Sequence, residues 1–280
     1  MTGLTAATAA QQKDNLCGPF HAARMLRDAG VVAWRGEAID QDLVAARAGT
    51  VLPAPAPASA AAAAGRPAAA GSPAAAGSPA AAPSVPPGAE PWADYRFDFP
   101  LAEPAASGTS PAGLVAAIEE LSGGELTAVP LRAAPWSAGT VIDVVERGVE
   151  LGARLLANIR SGLLWGSRPA AAVLTAELEG VEPPEAPPPA DWDVGHFVEL
   201  VGLLRGRAGA LVLVRDSYPR LGWDGHYLQP PRALAAALER GDGREGGVLM
   251  IVPGDRHAEA VRLAGELALE VQMWDNGRRR

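Results

Sequence analysis

The chain has 280 residues, a formal net charge of −8 and a single cysteine. The negative charge argues against a nucleic-acid-binding protein, which needs a basic face. One cysteine excludes an intrachain disulfide framework and a metal site built from several cysteines. No secretory signal begins the chain, and no stretch reaches the roughly 18 apolar residues of a membrane span. We therefore expect a soluble, cytoplasmic protein with no cofactor and no nucleic-acid or membrane partner.

The first predicted helix carries the cysteine. Apolar residues recur at helical spacing over residues 16–26, and Asn15 precedes them as the expected N-cap. Cys17 then lies in the first turn, where unpaired backbone N–H groups and the helix dipole favour a thiolate. A short extended piece is expected at 31–34, and a second helix at 37–48.

An Ala/Pro/Gly/Ser-rich segment follows at residues 53–91 and contains the repeated unit GSPAAA. It has almost no large side chain to bury, so it cannot offset the entropy lost on ordering. We predict a disordered insertion within a single domain that spans residues 1–280.

The rest of the chain mixes helical and strand patterns. The predicted helices span 111–121, 137–149, 230–238 and 255–273. The predicted strands span 126–131, 153–159, 196–204, 210–214 and 248–252. Ser110 is an expected N-cap and Ser137 is expected to begin a helix, while a loop is expected at 161–192 and a turn at 218–227. This order of elements indicates an α+β fold, with an antiparallel hairpin at 196–214.

Three residues in this pattern suit nucleophilic catalysis by a thiol. Cys17 is the candidate nucleophile, His196 begins one hairpin strand, and Asp216 follows the end of the other. Because the start of one antiparallel strand lies beside the end of its neighbour, Asp216 is expected to reach the imidazole. It would then fix the tautomer of a histidine that serves as the base for Cys17.

A thiol hydrolase also needs donors for the developing oxyanion. Gln11 lies six positions before Cys17 and is the expected side-chain donor, together with the backbone N–H of Cys17. Gln12 competes with Gln11 for this role.

The remaining histidines and several tryptophans have weaker signals. The histidines expected to be structural or exposed are His21, His226 and His257. The tryptophans expected to flank a peptide cleft are Trp165, Trp192 and Trp223. No histidine or cysteine spacing typical of zinc sites and no phosphate-binding glycine loop is present, so no metal or cofactor is expected.

The order of Gln11, Cys17, His196 and Asp216 along the chain resembles the papain-like cysteine peptidases, and most nearly the double-glycine (bacteriocin-processing) peptidases. The resemblance covers 11–50 and 110–252 and rests on Gln11, Cys17-Gly18-Pro19, Gly195-His196-Phe197-Val198 and Val214-Arg215-Asp216. It implies a papain-like fold, in which an N-terminal helix carrying the cysteine packs on an antiparallel sheet carrying the histidine and the aspartate. Leu16 and Ser217 depart from the family pattern, which usually has Asp before the Cys and Pro after the Asp.

Our hypothesis from the sequence is a cysteine hydrolase, a peptidase or amidase acting on a peptide or protein substrate. Two alternatives stay open. The same acyl-enzyme could be captured by an amine, which would make the protein a transferase or cyclase. The chain could also be a catalytically idle papain-like module that binds a peptide or partner.

Overall fold

The structure, a computed structural model, describes residues 11–55 and 85–278 as a mixed α+β fold. Its helices are α1 Cys17–Asp28, α2 Gln41–Arg47, α3 Pro111–Leu121, α4 Ala138–Glu150, α5 Ala171–Glu179, α6 Pro231–Glu239 and α7 His257–Glu266. Its longer strands are β5 Leu126–Arg132, β6 Arg154–Arg160, β7 Gly195–Arg205, β8 Ala210–Arg215, β9 His226–Gln229 and β10 Gly247–Pro253. The two-residue strands are β1 Ala33–Trp34, β2 Glu37–Ala38, β3 Leu52–Pro53, β4 Leu101–Ala102 and β11 Glu270–Val271.

Seven strands form one sheet in the order β11-β5-β10-β6-β7-β8-β9, and every neighbouring pair is antiparallel. The predicted hairpin is confirmed as β7 and β8, with Arg205 opposite Ala210. Consecutive residues of one strand point to opposite faces, so a strand can contribute side chains to a hydrophobic core on each face of the sheet. Phe197 and Leu249 face one core, while Val198 and Val248 face the other.

Helices cover both faces of this sheet. The face of Phe197 packs against α1, α2 and α3, and the opposite face packs against α4, α6 and α7. The expected N-cap Ser110 is confirmed, because its hydroxyl accepts a bond from the N–H of Gly113 at 3.0 Å. Ser137 caps α4 in the same way, accepting a bond from the N–H of Thr140 at 3.0 Å. Among the described residues, no helix combines the length and apolar character needed to cross a membrane.

Most of the predicted insertion, residues 56–84, lies outside the described residues. Its described ends meet the fold on both sides. Pro53 pairs in parallel with Ala102, which joins β3 to β4, and Val85 packs against the core that contains Val198 and Val248.

Two predictions near the N-terminus were wrong in detail. Asn15 does not cap α1, because its φ of 60° turns the chain in the left-handed region and Leu16 becomes the N-cap. The second helix does not begin at residue 37. Glu37–Ala38 forms β2, and α2 starts only after Asp40, whose carboxylate accepts a bond from the N–H of Leu43.

The sequence patterns also missed elements in the second half. The predicted loop 161–192 contains α5, and the turn at 218–227 leads into β9. The terminal helix is shorter than predicted, because Ala268 adopts a φ of 53° that ends it and the next residues pair with β5 as β11.

Candidate active site

Cys17 is the first residue of α1 and is partly exposed. The first N–H of the helix that bonds within it belongs to Phe20, so the amides of Cys17 and Gly18 lie at the free N-terminus. Gly18 sets how closely this end approaches the sheet. A Cβ on Gly18 would lie 2.8 Å from Leu114 and 3.1 Å from the ring of Phe197. The glycine after the cysteine and the phenylalanine after His196 are therefore parts of one close contact between α1 and β7.

The imidazole of His196 lies between Cys17 and Asp216. Its Nε2 is 3.1 Å from Oδ1 of Asp216, and Cys17 is close enough to the ring to raise its pKa. Because Nε2 is engaged by the carboxylate, Nδ1 is the nitrogen that faces the sulfur. The three residues predicted from the sequence thus lie in series, as the antiparallel hairpin implied.

Asp216 is held by three groups besides the histidine. Oδ1 accepts a bond from the backbone N–H of Tyr218 at 3.1 Å, and Oδ2 accepts one from the hydroxyl of Tyr227 at 2.9 Å. Ser217 adds a longer contact to Oδ1, at 3.4 Å. A carboxylate with several donors is fixed in position and stays ionised.

Charge outweighs burial at both members of this pair. Burial lowers the pKa of His196, but the charge and hydrogen bond of Asp216, with a further contribution from Cys17, raise that pKa to about 10. Burial raises the pKa of Asp216, but the imidazolium, the Tyr218 N–H and the Tyr227 hydroxyl lower it below its ordinary value. The resulting state is an imidazolium paired with a carboxylate.

Aromatic rings hold the imidazole in its plane. Trp192 contacts it edge-on, with ring centroids 5.0 Å apart, and Tyr218 lies roughly parallel to it at 6.1 Å. Of the three tryptophans expected to flank the site, Trp192 lines the cleft. Trp165 instead contacts Gln229 and Arg232, and Trp223 is largely exposed.

The structure places Gln12 at the cleft, whereas Gln11 is not among the lining residues. Gln12 is 3% exposed, and its Nε2 donates to the hydroxyl of Tyr218 at 3.0 Å. Its Oε1 accepts from the hydroxyl of Ser217. Gln11 bonds through its backbone carbonyl to the side chain of Gln41. The geometry therefore favours Gln12, the competing residue, as the glutamine that shares the cleft with Cys17.

These residues open into a cleft of about 380 Å³. Its lining residues are Gln12, Asn15, Cys17, Pro53, Pro104, Ser107, Gly108, Thr109, Asn158, Trp192, Val194, Gly195, His196, Phe197, Arg240, Arg244 and Asn276. The floor comes from the sheet and the helix end, and the opposite wall comes from the chain around 104–109.

The other three histidines do not line the cleft. His21 is fully buried within α1, where its Nδ1 is 3.0 Å from Arg24, and burial lowers its pKa well below the ordinary value. His226 begins β9, and His257 is an exposed residue at the start of α7. In the described parts of the chain, no group of three or more His, Cys, Asp or Glu side chains is arranged to hold a metal ion.

Sequence reasoning missed the residues that support the three predicted ones. Tyr218 and Tyr227 fall in the segment interpreted as a turn, where no periodicity marked them as buried. Asn158, whose side chain donates to the carbonyl of His196 at 3.3 Å, is a polar residue inside an apolar strand pattern. A buried-strand asparagine is itself a signal, because such a side chain needs hydrogen-bond partners.

The protein thus has an α+β fold in which Cys17 and His196 line one cleft and Asp216 contacts His196 from a buried position. The chain belongs to DUF6885, a family of unknown function, whose model matches residues 4–275. Neither the curated proteins nor the solved structures contain a match to this chain.

Proposed function

We propose that the protein is a cysteine hydrolase of papain-like type that cleaves a peptide or amide bond. The observation that carries the proposal is a cleft lined by Cys17 and His196, with the cysteine at a helix N-terminus and Asp216 bonded to the histidine. A nucleophile in contact with a base, itself oriented by a third group, is the usual arrangement for covalent catalysis.

The first step forms an acyl-enzyme. In the reactive pair the proton of the Cys17 thiol already resides on Nδ1 of His196, and the thiolate attacks the carbonyl carbon of the substrate. The developing oxyanion accepts hydrogen bonds from the N–H of Cys17 and from Gln12. Nε2 of Gln12 carries two protons, so one can bond to Tyr218 while the second serves the oxyanion.

The second step releases the product. His196 donates its proton to the leaving amine, the carbon–nitrogen bond breaks, and a thioester remains on Cys17. His196 then takes a proton from water, which attacks the thioester and regenerates the thiol. Asp216 keeps the imidazole in the same tautomer throughout, while Trp192 keeps water away from one side of the ring.

The test combines alkylation with a search for cleavage. Iodoacetamide labelling of Cys17 is followed from pH 5 to 9 in the wild type and in His196→Ala, with His257→Ala as the matched control on an exposed histidine. We expect fast labelling well below pH 8 that only His196→Ala abolishes. A peptide library is then incubated with the wild type and with Cys17→Ala, and new termini are identified by mass spectrometry.

Opposite outcomes separate the alternatives. Slow labelling in all three proteins would identify a structural thiol and favour a binding module. New termini that need Cys17 support hydrolysis. If an added amine such as glycine methyl ester captures most of the acyl group as an amide, the protein is instead an acyl transferase.

A further inference from the structure

One end of the cleft is positively charged, although the chain carries a net charge of −8. Arg240 and Arg244 both line it, and no Asp or Glu is among its lining residues. The two arginines differ in how their charges are balanced, and this difference indicates what the cleft binds.

Arg240 is a buried and fully engaged cation. Its side chain is 1% exposed, and its guanidinium makes two bonds to the carboxylate of Asp242, at 3.2 and 3.0 Å, and one to Asn158 at 3.3 Å. Its backbone φ of 65° lies in the left-handed region, which a non-glycine residue adopts only where its surroundings require it. A Cβ on Gly195 would lie 2.9 Å from Nη2 of Arg240, so this guanidinium covers the backbone directly before His196.

Arg244 is less fully engaged than Arg240. It is partly buried, and its guanidinium donates to the carbonyl of Ala105 at 2.8 Å. Its backbone N–H bonds to Asp242, whose carboxylate is already committed to Arg240. Within residues 11–55 and 85–278, no carboxylate forms an ion pair with Arg244. An arginine fork has five N–H donors, so donors remain for a ligand in the cleft.

We infer that Arg244 binds a carboxylate of the substrate, so that the enzyme selects peptides carrying an acidic side chain or a free C-terminus beside the cleaved bond. Arginine suits this role because its planar fork matches both oxygens of a carboxylate. Arg240 and Asp242 position the loop that presents Arg244. The inference rests on the proposed function, because it assigns the specificity of the same cleft.

Matched alkylating probes test this inference without a known substrate. Iodoacetyl-Gly-Gly is compared with its C-terminal amide, and iodoacetyl-Gly-Glu-amide with iodoacetyl-Gly-Gln-amide. Each probe forms a bond between the Cys17 sulfur and the methylene carbon and releases iodide. The first pair reports a terminal carboxylate and the second an acidic side chain. Arg244→Gln and Arg244→Lys are the variants, and Arg207→Gln, on an arginine 75% exposed and paired with Glu179, is the control.

We expect at least one acidic probe to label the wild type about fivefold faster than its neutral partner, as for an ion pair near the surface. Arg244→Gln should remove this preference, Arg207→Gln should keep it, and added salt should weaken it. The preferred pair identifies the source of the carboxylate. Equal rates within both pairs, or a preference that survives Arg244→Gln, would overturn the inference.

The neutral probes alone test the proposed function, since their labelling must depend on His196. If they fail to react, acetyl-capped versions of the same pairs are titrated into the isotope-labelled protein and the Nε–Hε signal of Arg244 is followed by NMR. If only the acidic peptides shift the Arg244 signal, Arg244 is a carboxylate-binding site in a protein that binds peptides without cleaving them. Equal shifts from both members of each pair would reject the carboxylate site.

Discussion

At His196, burial and charge act in opposite directions, and charge prevails. The ring is 2% exposed, which by itself would keep it neutral, yet Asp216 and Cys17 raise its pKa to about 10. The carboxylate is therefore the residue on which the charge state of the site depends. Two predictions follow from this balance, one for reactivity and one for stability.

Replacing Asp216 with asparagine should lower the pKa of His196, because the main opposing charge is lost and burial then acts against Cys17 alone. Cys17 should lose its partner cation. Since an unassisted thiol is only about 0.3% thiolate at pH 6, iodoacetamide labelling at that pH should slow by about 100-fold. NMR titration of the imidazole and the labelling rate measure both effects. Asp224→Asn, at an exposed turn, should change neither.

Stability should depend on pH through the same residue. The unfolded imidazole has a pKa near 6.5, and the folded one has a pKa of about 10. A raised pKa means that the stabilisation is fully present below pH 6.5 and is lost as pH rises toward 10, by up to about 1.4 kcal/mol per pH unit. In urea unfolding from pH 6 to 9.5, the free energy of unfolding of the wild type should fall toward that of His196→Gln as pH rises. A difference independent of pH would contradict this assignment.

At the scale of elements, the contact between α1 and β7 decides where Cys17 lies relative to His196. The N-terminal end of helix α1 meets the sheet at Gly18, and Phe197 fills the space that a side chain there would need. The separation of nucleophile and base is thus set by packing between a helix and a strand.

Gly18→Ala should therefore destabilise the fold by about 1–3 kcal/mol, the usual result of overpacking a tight site, and should slow labelling of Cys17. Gly139 supplies the control, because it is also the second residue of a helix but has only Ser137 near its Cβ position, at 3.7 Å. Gly139→Ala should be neutral or stabilising by up to about 1 kcal/mol. Urea unfolding compares the two, and equal effects would show that Gly18 is not tightly packed.

At the scale of the whole molecule, one buried carboxylate connects the helical layer to the sheet. Glu199 of β7 is 5% exposed and forms ion pairs with Arg24 of α1, with Arg154 of β6 at 3.6 Å and with Arg215 of β8 at 3.8 Å. Three cations surround a single anion, so the anion is the member whose loss is least tolerated.

Glu199→Gln should destabilise the protein by about 3 kcal/mol, because it leaves three arginines without their shared counter-charge. Glu179→Gln, which breaks an exposed pair with Arg207, should change the free energy of unfolding by less than about 1 kcal/mol. Urea denaturation at pH 7 measures both. A loss at Glu199 no larger than at Glu179 would show that the cluster is solvated.

Local sequence determined most of the regular elements and the order of the candidate residues. Periodicity, N-caps and turn signals act over a few residues, so they located the hairpin and the helices at Pro111 and Ala138. They also placed Cys17 at a helix start and Asp216 beside His196, because antiparallel pairing follows from short connections. Elements without such signals were missed, as with α5 inside a proline-rich segment.

Tertiary structure decided which side chains meet. Residues 11–16 are irregular, with Asn15 in the left-handed region, so no periodicity indicates whether Gln11 or Gln12 faces Cys17. The donors to Asp216 and the arginines of the cleft come from segments distant in sequence, such as Tyr227 and Arg244. Their positions depend on how the sheet and its connections pack, and that packing is a property of the whole chain.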